Sequence, residues 1–257
     1  MSEYRLRQVA LMAGDLGEVS RQLEQMFGVK VGFNDPSLVT WGLINAVFPV
    51  GSDFIEVAQP TADDAPGRRF MDKRGGDAGY MVIFQAEDAE AHRRRLEAKG
   101  VRVIELLEYD DHVAVQFHPK DFGGTLTSID EARGAADWLS ADCHWHPAGD
   151  GWKAARNGDT LGIAAVAVQH PNPEAVAARW SELLELPVIA GPNGPTIQVL
   201  DGRIDFVPAR GGAGDGVVGL EIRVPNVEAA LKRARDAGLP IDHGAAMIGG
   251  VAFRPVT

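Results

Sequence analysis

The chain is short of several things, and each shortage excludes a class of protein. It has one cysteine, Cys143, in 257 residues. An internal disulfide is excluded, and the composition suits a reducing cytoplasm. No apolar run approaches the roughly 18 residues of a membrane span, and Met1-Ser-Glu-Tyr-Arg-Leu-Arg does not have the form of a signal peptide. Basic residues are outnumbered: 25 Lys and Arg against 36 Asp and Glu leave a net charge of −11. That balance argues against nucleic acid or an anionic membrane as partner. The run Arg93 to Arg95 reads as a solvated helix face. P-loop, nucleophile elbow and dinucleotide fingerprint are all missing. The glycine-rich stretch Gly211 to Gly216 lacks the strand-to-helix setting that phosphate binding requires.

What is present is a repeat. Asp77 to Leu106 reads as strand, helix, strand. Tyr80 to Ala86 is a short apolar run bounded by Gly79 and by acids. Asp88 can cap a helix whose first turn is acidic and whose end carries Arg93, Arg94, Arg95 and Lys99, which complements the helix dipole. Gly100 ends that helix, and Val101, Val103 and Ile104 open the next strand. The pattern recurs from Gln8, from Gly162 and from Val218, and each unit then offers further alternating strands. Such a repeat predicts an α+β protein with one domain over 1–130, a polar linker over 131–160 and a second domain over 161–257. Trp138, Trp145 and Trp152 are too apolar to stand free in water, so the linker is expected to pack on the first domain or across the domain interface. Residues 61–77 are polar and glycine-rich and read as a connector, with Phe70 and Met71 pinning it to the core or covering a pocket. Gly250-Val-Ala-Phe-Arg-Pro lines up with Val113-Ala-Val-Gln-Phe-His-Pro, so the second domain is expected to lack its last strand or to borrow one.

Four βαβββ units in two pairs resemble the vicinal oxygen chelate superfamily. Its members include glyoxalases, methylmalonyl-CoA epimerases, extradiol dioxygenases and bleomycin-resistance proteins. His118-Pro-Lys-Asp-Phe-Gly-Gly-Thr-Leu is similar to a turn of the epimerases, and Gln8-Val-Ala-Leu and Phe54-Ile-Glu-Val-Ala-Gln-Pro add to the likeness. The resemblance implies two tandem glyoxalase-like domains, each curling a mixed sheet into a cup with helices outside, the second domain degenerate. It also implies a divalent metal held by one side chain from each of four strands. Those positions fall at Gln8, Glu56, Met81 and Ser128 in the first domain, and at Ile163, Asp205 and Gly219 in the second. Gln8 and Glu56 fit the family's ligand types. Met81 and Ser128 depart from them, and one thioether beside two hard ligands suits no common metal. No bound metal and no cofactor are therefore expected.

The expected site is the first cup. Glu56 is the candidate catalytic residue. A carboxyl inside a closed wall has a raised pKa unless something pairs with it, which suits a general acid or base, and the Gln8 amide is placed to donate to it. Gln8, Trp41, Asn45, Met81, Asp111, His112 and Ser128 are the candidate substrate-binding residues. Trp41 and Asn45 belong to a region expected to form a wall strand, and Asp110, Asp111 and His112 sit near the rim. His118 reads as part of its turn. His144 and His146, next to Cys143, have no partner pair elsewhere and read as linker composition rather than a zinc site. Two functions stay open: a metal-independent isomerase, epimerase or lyase with Glu56 as proton shuttle, or a non-catalytic protein that sequesters a small molecule. The expected partner is a small-molecule ligand, with no nucleic acid and no membrane. A homodimer is compatible with the chain.

Overall fold

The computed structural model describes residues 3–209 and 214–257. Part of the glycine-rich stretch, 211 to 213, lies outside the described residues. The first half runs β1 (Arg5–Met12), α1 (Leu16–Phe27), β2 (Leu43–Val50), β3 (Asp53–Pro60), α2 (Pro66–Arg74), β4 (Ala78–Gln85), α3 (Ala89–Ala98), β5 (Val103–Glu108), β6 (His112–Phe117) and β7 (Leu126–Ala132). The linker holds the short α4 (Trp152–Ala155). The second half runs β8 (Gly162–His170), α5 (Pro173–Leu184), β9 (Val188–Ala190), β10 (Pro195–Gln198), β11 (Arg203–Pro208), β12 (Gly216–Arg223), α6 (Val227–Asp236), β13 (Ile241–Asp242), β14 (Ala245–Ile248) and β15 (Val251–Val256). The four long helices start alike. Asp15, Asp88, Asn172 and Asn226 each accept a backbone N–H of the first turn.

Two mixed sheets result, and they are built on one plan. The first has seven strands in the order β2-β3-β1-β4-β7-β6-β5, and the second eight in the order β13-β14-β15-β12-β8-β11-β10-β9. In each, two parallel pairs meet at an antiparallel seam: β1–β3 and β4–β7 across β1–β4, then β8–β11 and β12–β15 across β8–β12. Period-two alternation sorts the side chains. Val9, Leu11, Ile55, Val57, Val82 and Phe84 face the helices and join one core that extends through both halves. Trp180 of α5 packs edge-on against Phe84 at 6.2 Å, Phe122 at 5.3 Å and Phe206 at 5.5 Å. A side chain buried this way contributes about 2–3 kcal/mol. At the junction, Arg5 pairs with Asp53 at 3.1 Å and with Asp201 at 2.9 Å, and Asp53 accepts the Ile163 N–H at 2.8 Å.

Three local expectations are corrected. The second sheet is not missing a strand. β15 lies parallel to β12 as β7 lies parallel to β4. Gly249 and Gly250, at φ 54 and 72, precede β15 as Gly123 and Gly124, at φ 62 and 93, precede β7. The glycine pair, which takes the chain through the left-handed region before the last strand, is the marker that fixes the alignment. The shorter unit is the first, where an isolated bridge from Phe33 to Val47 stands in place of a strand. The connector 61–77 contains α2, started by Pro66 and closed by Gly75 at φ 79. Its apolar period is weak because it buries only Gly67 and Met71. Trp41 lies on no strand; it ends a 3-10 helix over Pro36–Trp41, capped by Gly42 at φ 65.

Candidate functional site

The concave face of the first sheet surrounds a cavity of about 300 Å³. Gln8, Asn45, Glu56, Met81, Ser128 and His112 line it from β1, β2, β3, β4, β7 and β6, and Trp41 lines its mouth. Asp111 is not part of that lining. It turns away from the cup, toward His144 and His146. Asp35, Glu56, Glu105 and Asp130 put four carboxylates on the cavity, and no lysine or arginine among the described residues accompanies them.

Glu56 is half-buried, and what it exposes faces the cavity. Gln8 Nε2 donates to its Oε2 at 2.8 Å, and Asn45 Nδ2 donates to its Oε1 at 2.7 Å. Both amides have their orientation imposed from behind. The Trp145 indole donates to Gln8 Oε1 at 2.8 Å, and the Asp35 backbone N–H donates to Asn45 Oδ1 at 2.7 Å. With each oxygen taken, the two NH2 groups are the parts left to face the carboxylate. Burial pushes the Glu56 carboxyl above its ordinary range, the two amide bonds oppose that rise, and the charge of Asp35 adds to it.

The linker packs on the first domain and closes the floor behind this acid. Trp145 and Trp152 join Phe54, Met81 and Leu126 in one apolar cluster. Trp145 stacks on Phe54 with ring centroids 6.5 Å apart, and Trp152 meets Phe54 edge-on at 5.1 Å. Arg7, fully buried, lies over Phe54 at 5.1 Å and over Trp145 at 5.4 Å, and donates from Nη2 to the Cys143 carbonyl at 3.1 Å. Burial first, and then the charge of Arg5, bring its pKa down to about 10.

Tyr80 belongs to the site although alternation hides it. β1 pairs Ala10 with Met81 but Leu11 with Gly79, so Tyr80 is the extra residue of a β-bulge and lines the cavity together with Met81. Gly79 is the trace this leaves in the sequence: a Cβ there would come within 2.5 Å of Val217 Cβ. Burial raises the Tyr80 hydroxyl pKa, and the Glu56 charge raises it further. Across the cavity, the Ser128 hydroxyl lies against Asp130 Oδ1 and is 3.2 Å from the Val115 carbonyl, and Asp130 Oδ2 lies 3.1 Å from His112 Nε2. Asp130 was not singled out by sequence because acids at strand ends are common. His118 caps its 3-10 turn by accepting the Lys120 N–H at 3.1 Å, a role in the turn and not in the cup.

Register ties the four family positions together. Ala10 stands opposite Glu56, two residues after Gln8, and Ile83 stands opposite Ser128, two residues after Met81. Met81 is therefore to Ser128 as Gln8 is to Glu56. In the second sheet Ala167 stands opposite Asp205 and Glu221 opposite Arg254. The matching places there are Ala165, Asp205, Gly219 and Arg254. Ile163 is not one of them; it belongs to the core on the helix side.

The glyoxalase-like domain family matches residues 9–184. Among solved structures, a mutant of 4-hydroxymandelate synthase from Streptomyces coelicolor is similar with a TM-score of 0.70 at 17% identity, over 93% of this chain and 76% of that one. The Mn(II)-bound glyoxalase from Novosphingobium aromaticivorans is similar with a TM-score of 0.67 at 15% identity, over 99% of this chain and 82% of that one. At such identities the likeness shows the fold alone. No curated protein matches the chain by sequence. No helix of the described residues is long and apolar enough to cross a membrane. The family match and the two sheets of common plan together make the chain a two-domain member of the glyoxalase-like family, within the vicinal oxygen chelate superfamily.

Proposed function

We propose that the first cup binds an uncharged or cationic small organic molecule and moves a proton on it through Glu56, as a metal-independent isomerase, epimerase or lyase. The observation that carries this reading is a carboxyl with a raised pKa, held by two oriented amides on the wall of a cavity that is otherwise largely apolar. Four carboxylates without a cation on the lining disfavour an anionic ligand.

The four family positions do not fit a divalent ion as they stand. The Gln8 amide turns its oxygen to the Trp145 indole and its NH2 to Glu56, so it offers the cup no oxygen, and each Glu56 oxygen accepts one amide N–H and keeps one lone pair for a proton. The Ser128 hydroxyl is engaged by Asp130, and Met81 offers only a soft thioether. The chemistry we propose rests on side chains. Ionised Glu56 accepts a proton from a C–H made acidic by a neighbouring carbonyl, and the electron pair of that bond shifts onto the carbonyl oxygen. The Tyr80 hydroxyl is the donor placed to stabilise that oxygen. The electron pair then returns to carbon as protonated Glu56 gives the proton back, to the next carbon for an isomer or to the other face of a ligand that has turned in the cup for an epimer. The free thiol of Cys143 fits the cytoplasm as compartment.

A second reading, sequestration without chemistry, is favoured by the same four carboxylates, which give apolar walls a field that holds a cation. One experiment separates the two. Matched neutral, cationic and anionic compounds are screened by thermal shift, and the binders are incubated in D2O. Deuterium wash-in at a ligand carbon, lost in Glu56→Gln, supports the enzyme. Binding without wash-in supports sequestration. Stabilisation by anionic compounds alone would sink both.

A further inference from the structure

At the rim of the cup, the side chains of Asp111, His144 and His146 converge. Among the described residues they are the one group of three or more His, Cys, Asp or Glu side chains gathered closely enough to hold an ion, with one ligand atom of each within 4.8 Å of the others. The group owes nothing to the four family positions. Asp111 comes from the β5–β6 turn, and the two histidines come from the linker.

The local chain explains the convergence. His144 and His146 flank Trp145, whose backbone is extended at φ −141 and ψ 97. Successive side chains of an extended chain point to opposite sides. The indole therefore goes into the floor of the cup, against Gln8 and Phe54, and both imidazoles go to Asp111. His146 Nδ1 is 2.9 Å from Asp111 Oδ1, and His144 Nε2 meets Oδ2 of the same carboxylate. That Nε2 is closed off from solvent, with the Asp111 carboxylate as its contact. Two imidazole nitrogens, one of them shielded from solvent, aimed at the two oxygens of one carboxylate make a donor set that an ion completes. On its other side, His144 Nδ1 faces the Asp150 carboxylate at 3.9 Å, the kind of outer partner that orients a ligating imidazole.

We propose that Asp111, His144 and His146 bind a divalent transition metal of the zinc type, with solvent completing the coordination. Two imidazoles and one carboxylate suit such an ion better than they suit calcium or magnesium, which take oxygen ligands. Bound there, the ion clips the linker to the rim and so holds Trp145 under Gln8. Its state reaches the mouth of the cup through His146, which lines the cavity and stacks on Tyr109 with ring centroids 4.1 Å apart.

The test uses the full chain, stripped by dialysis against a chelator and titrated with Zn²⁺ and with Co²⁺. The result expected is saturable binding of a single ion per chain, with visible Co²⁺ absorption and a change in tryptophan emission. His144→Ala and His146→Ala should each weaken Zn²⁺ binding by about tenfold or more. Glu56→Gln should leave it unchanged. His144→Gln is the safer variant, because that side chain is 38% exposed and supports little of the core. Zn²⁺ binding that survives in His144→Gln, that disappears in Glu56→Gln, or that never saturates would overturn the proposal.

Discussion

The two cups place an acid at the same register position and treat it in opposite ways. In the second, Asp205 is surrounded: Thr196 Oγ1 donates to it at 2.8 Å, Asn193 Nδ2 at 3.2 Å and Arg203 Nε at 3.1 Å. Arg203 goes on to Glu221 at 2.6 Å, so one guanidinium is shared by two carboxylates in the wall. In the first, Glu56 receives two neutral amides and no cation, and it faces a cavity of about 300 Å³. Both arrangements satisfy the rule that buried polar groups are hydrogen-bonded. Only the first leaves its acid without any cation, and an acid without a cation on a cavity wall is available to a ligand.

The most severe way to break this contrast is to neutralise each acid in turn. Glu56→Gln should lower proton exchange on a bound ligand by about a thousandfold, within the range for a positioned general base, while binding of an uncharged ligand changes little. Asp205→Asn should leave exchange untouched. Exchange that follows Asp205 instead would move the site to the second cup.

Stability gives the next two tests. Trp145 is fully buried and carries the hydrogen bond that orients Gln8. Trp145→Ala should cost about 3 kcal/mol in denaturant unfolding, and it should also raise the exchange defect by freeing the Gln8 amide to turn. A loss of stability with full exchange would show that the floor does not orient Gln8. Arg203 is 22% exposed and Asp205 only 2%. Arg203→Ala should cost about 2 kcal/mol by leaving that acid without its cation, a figure reduced here because Arg203 touches solvent. An unchanged midpoint would mean that Thr196 and Asn193 suffice.

Much of this molecule is legible in its residues. The strand–helix–strand pattern, the helix caps and the alternation along β1, β3 and β4 fix the helix side and the cup side, and with them Gln8 and Glu56. What escaped has specific causes. Tyr80 sits on a bulge, and a bulge breaks the period that alternation relies on. The final strand was misplaced because Phe-Arg-Pro and Phe-His-Pro match locally, whereas the Gly249–Gly250 pair carries the backbone information. His144 and His146 lacked a partner in sequence because Asp111 is far from them along the chain and meets them only when the linker folds back over the rim.

The smallest expected effect is on pH dependence, and it sharpens the contrast most directly. Burial holds the Glu56 carboxyl above its ordinary value of 4.5. A raised value in the folded state means that the native protein holds this proton more tightly than the unfolded chain does. The stability Glu56 contributes is thus fully present below 4.5 and is lost as pH climbs through the raised value. A cationic ligand reverses the trend, because it binds the ionised form. Its affinity should rise with pH across the same window, by about tenfold, or about 1.4 kcal/mol, for one charge pair in a partly shielded cup. An uncharged isostere should show no such rise. In Glu56→Gln the pH dependence of the cation should vanish, and in Asp205→Asn it should persist, because Asp205 keeps its cation in the wall. Isothermal titrations from pH 4 to 8 with the cationic and neutral probes decide it. A rise that persists in Glu56→Gln would assign the field of the cup to Asp35, Glu105 and Asp130, and Glu56 would then be a structural acid like its counterpart in the second half.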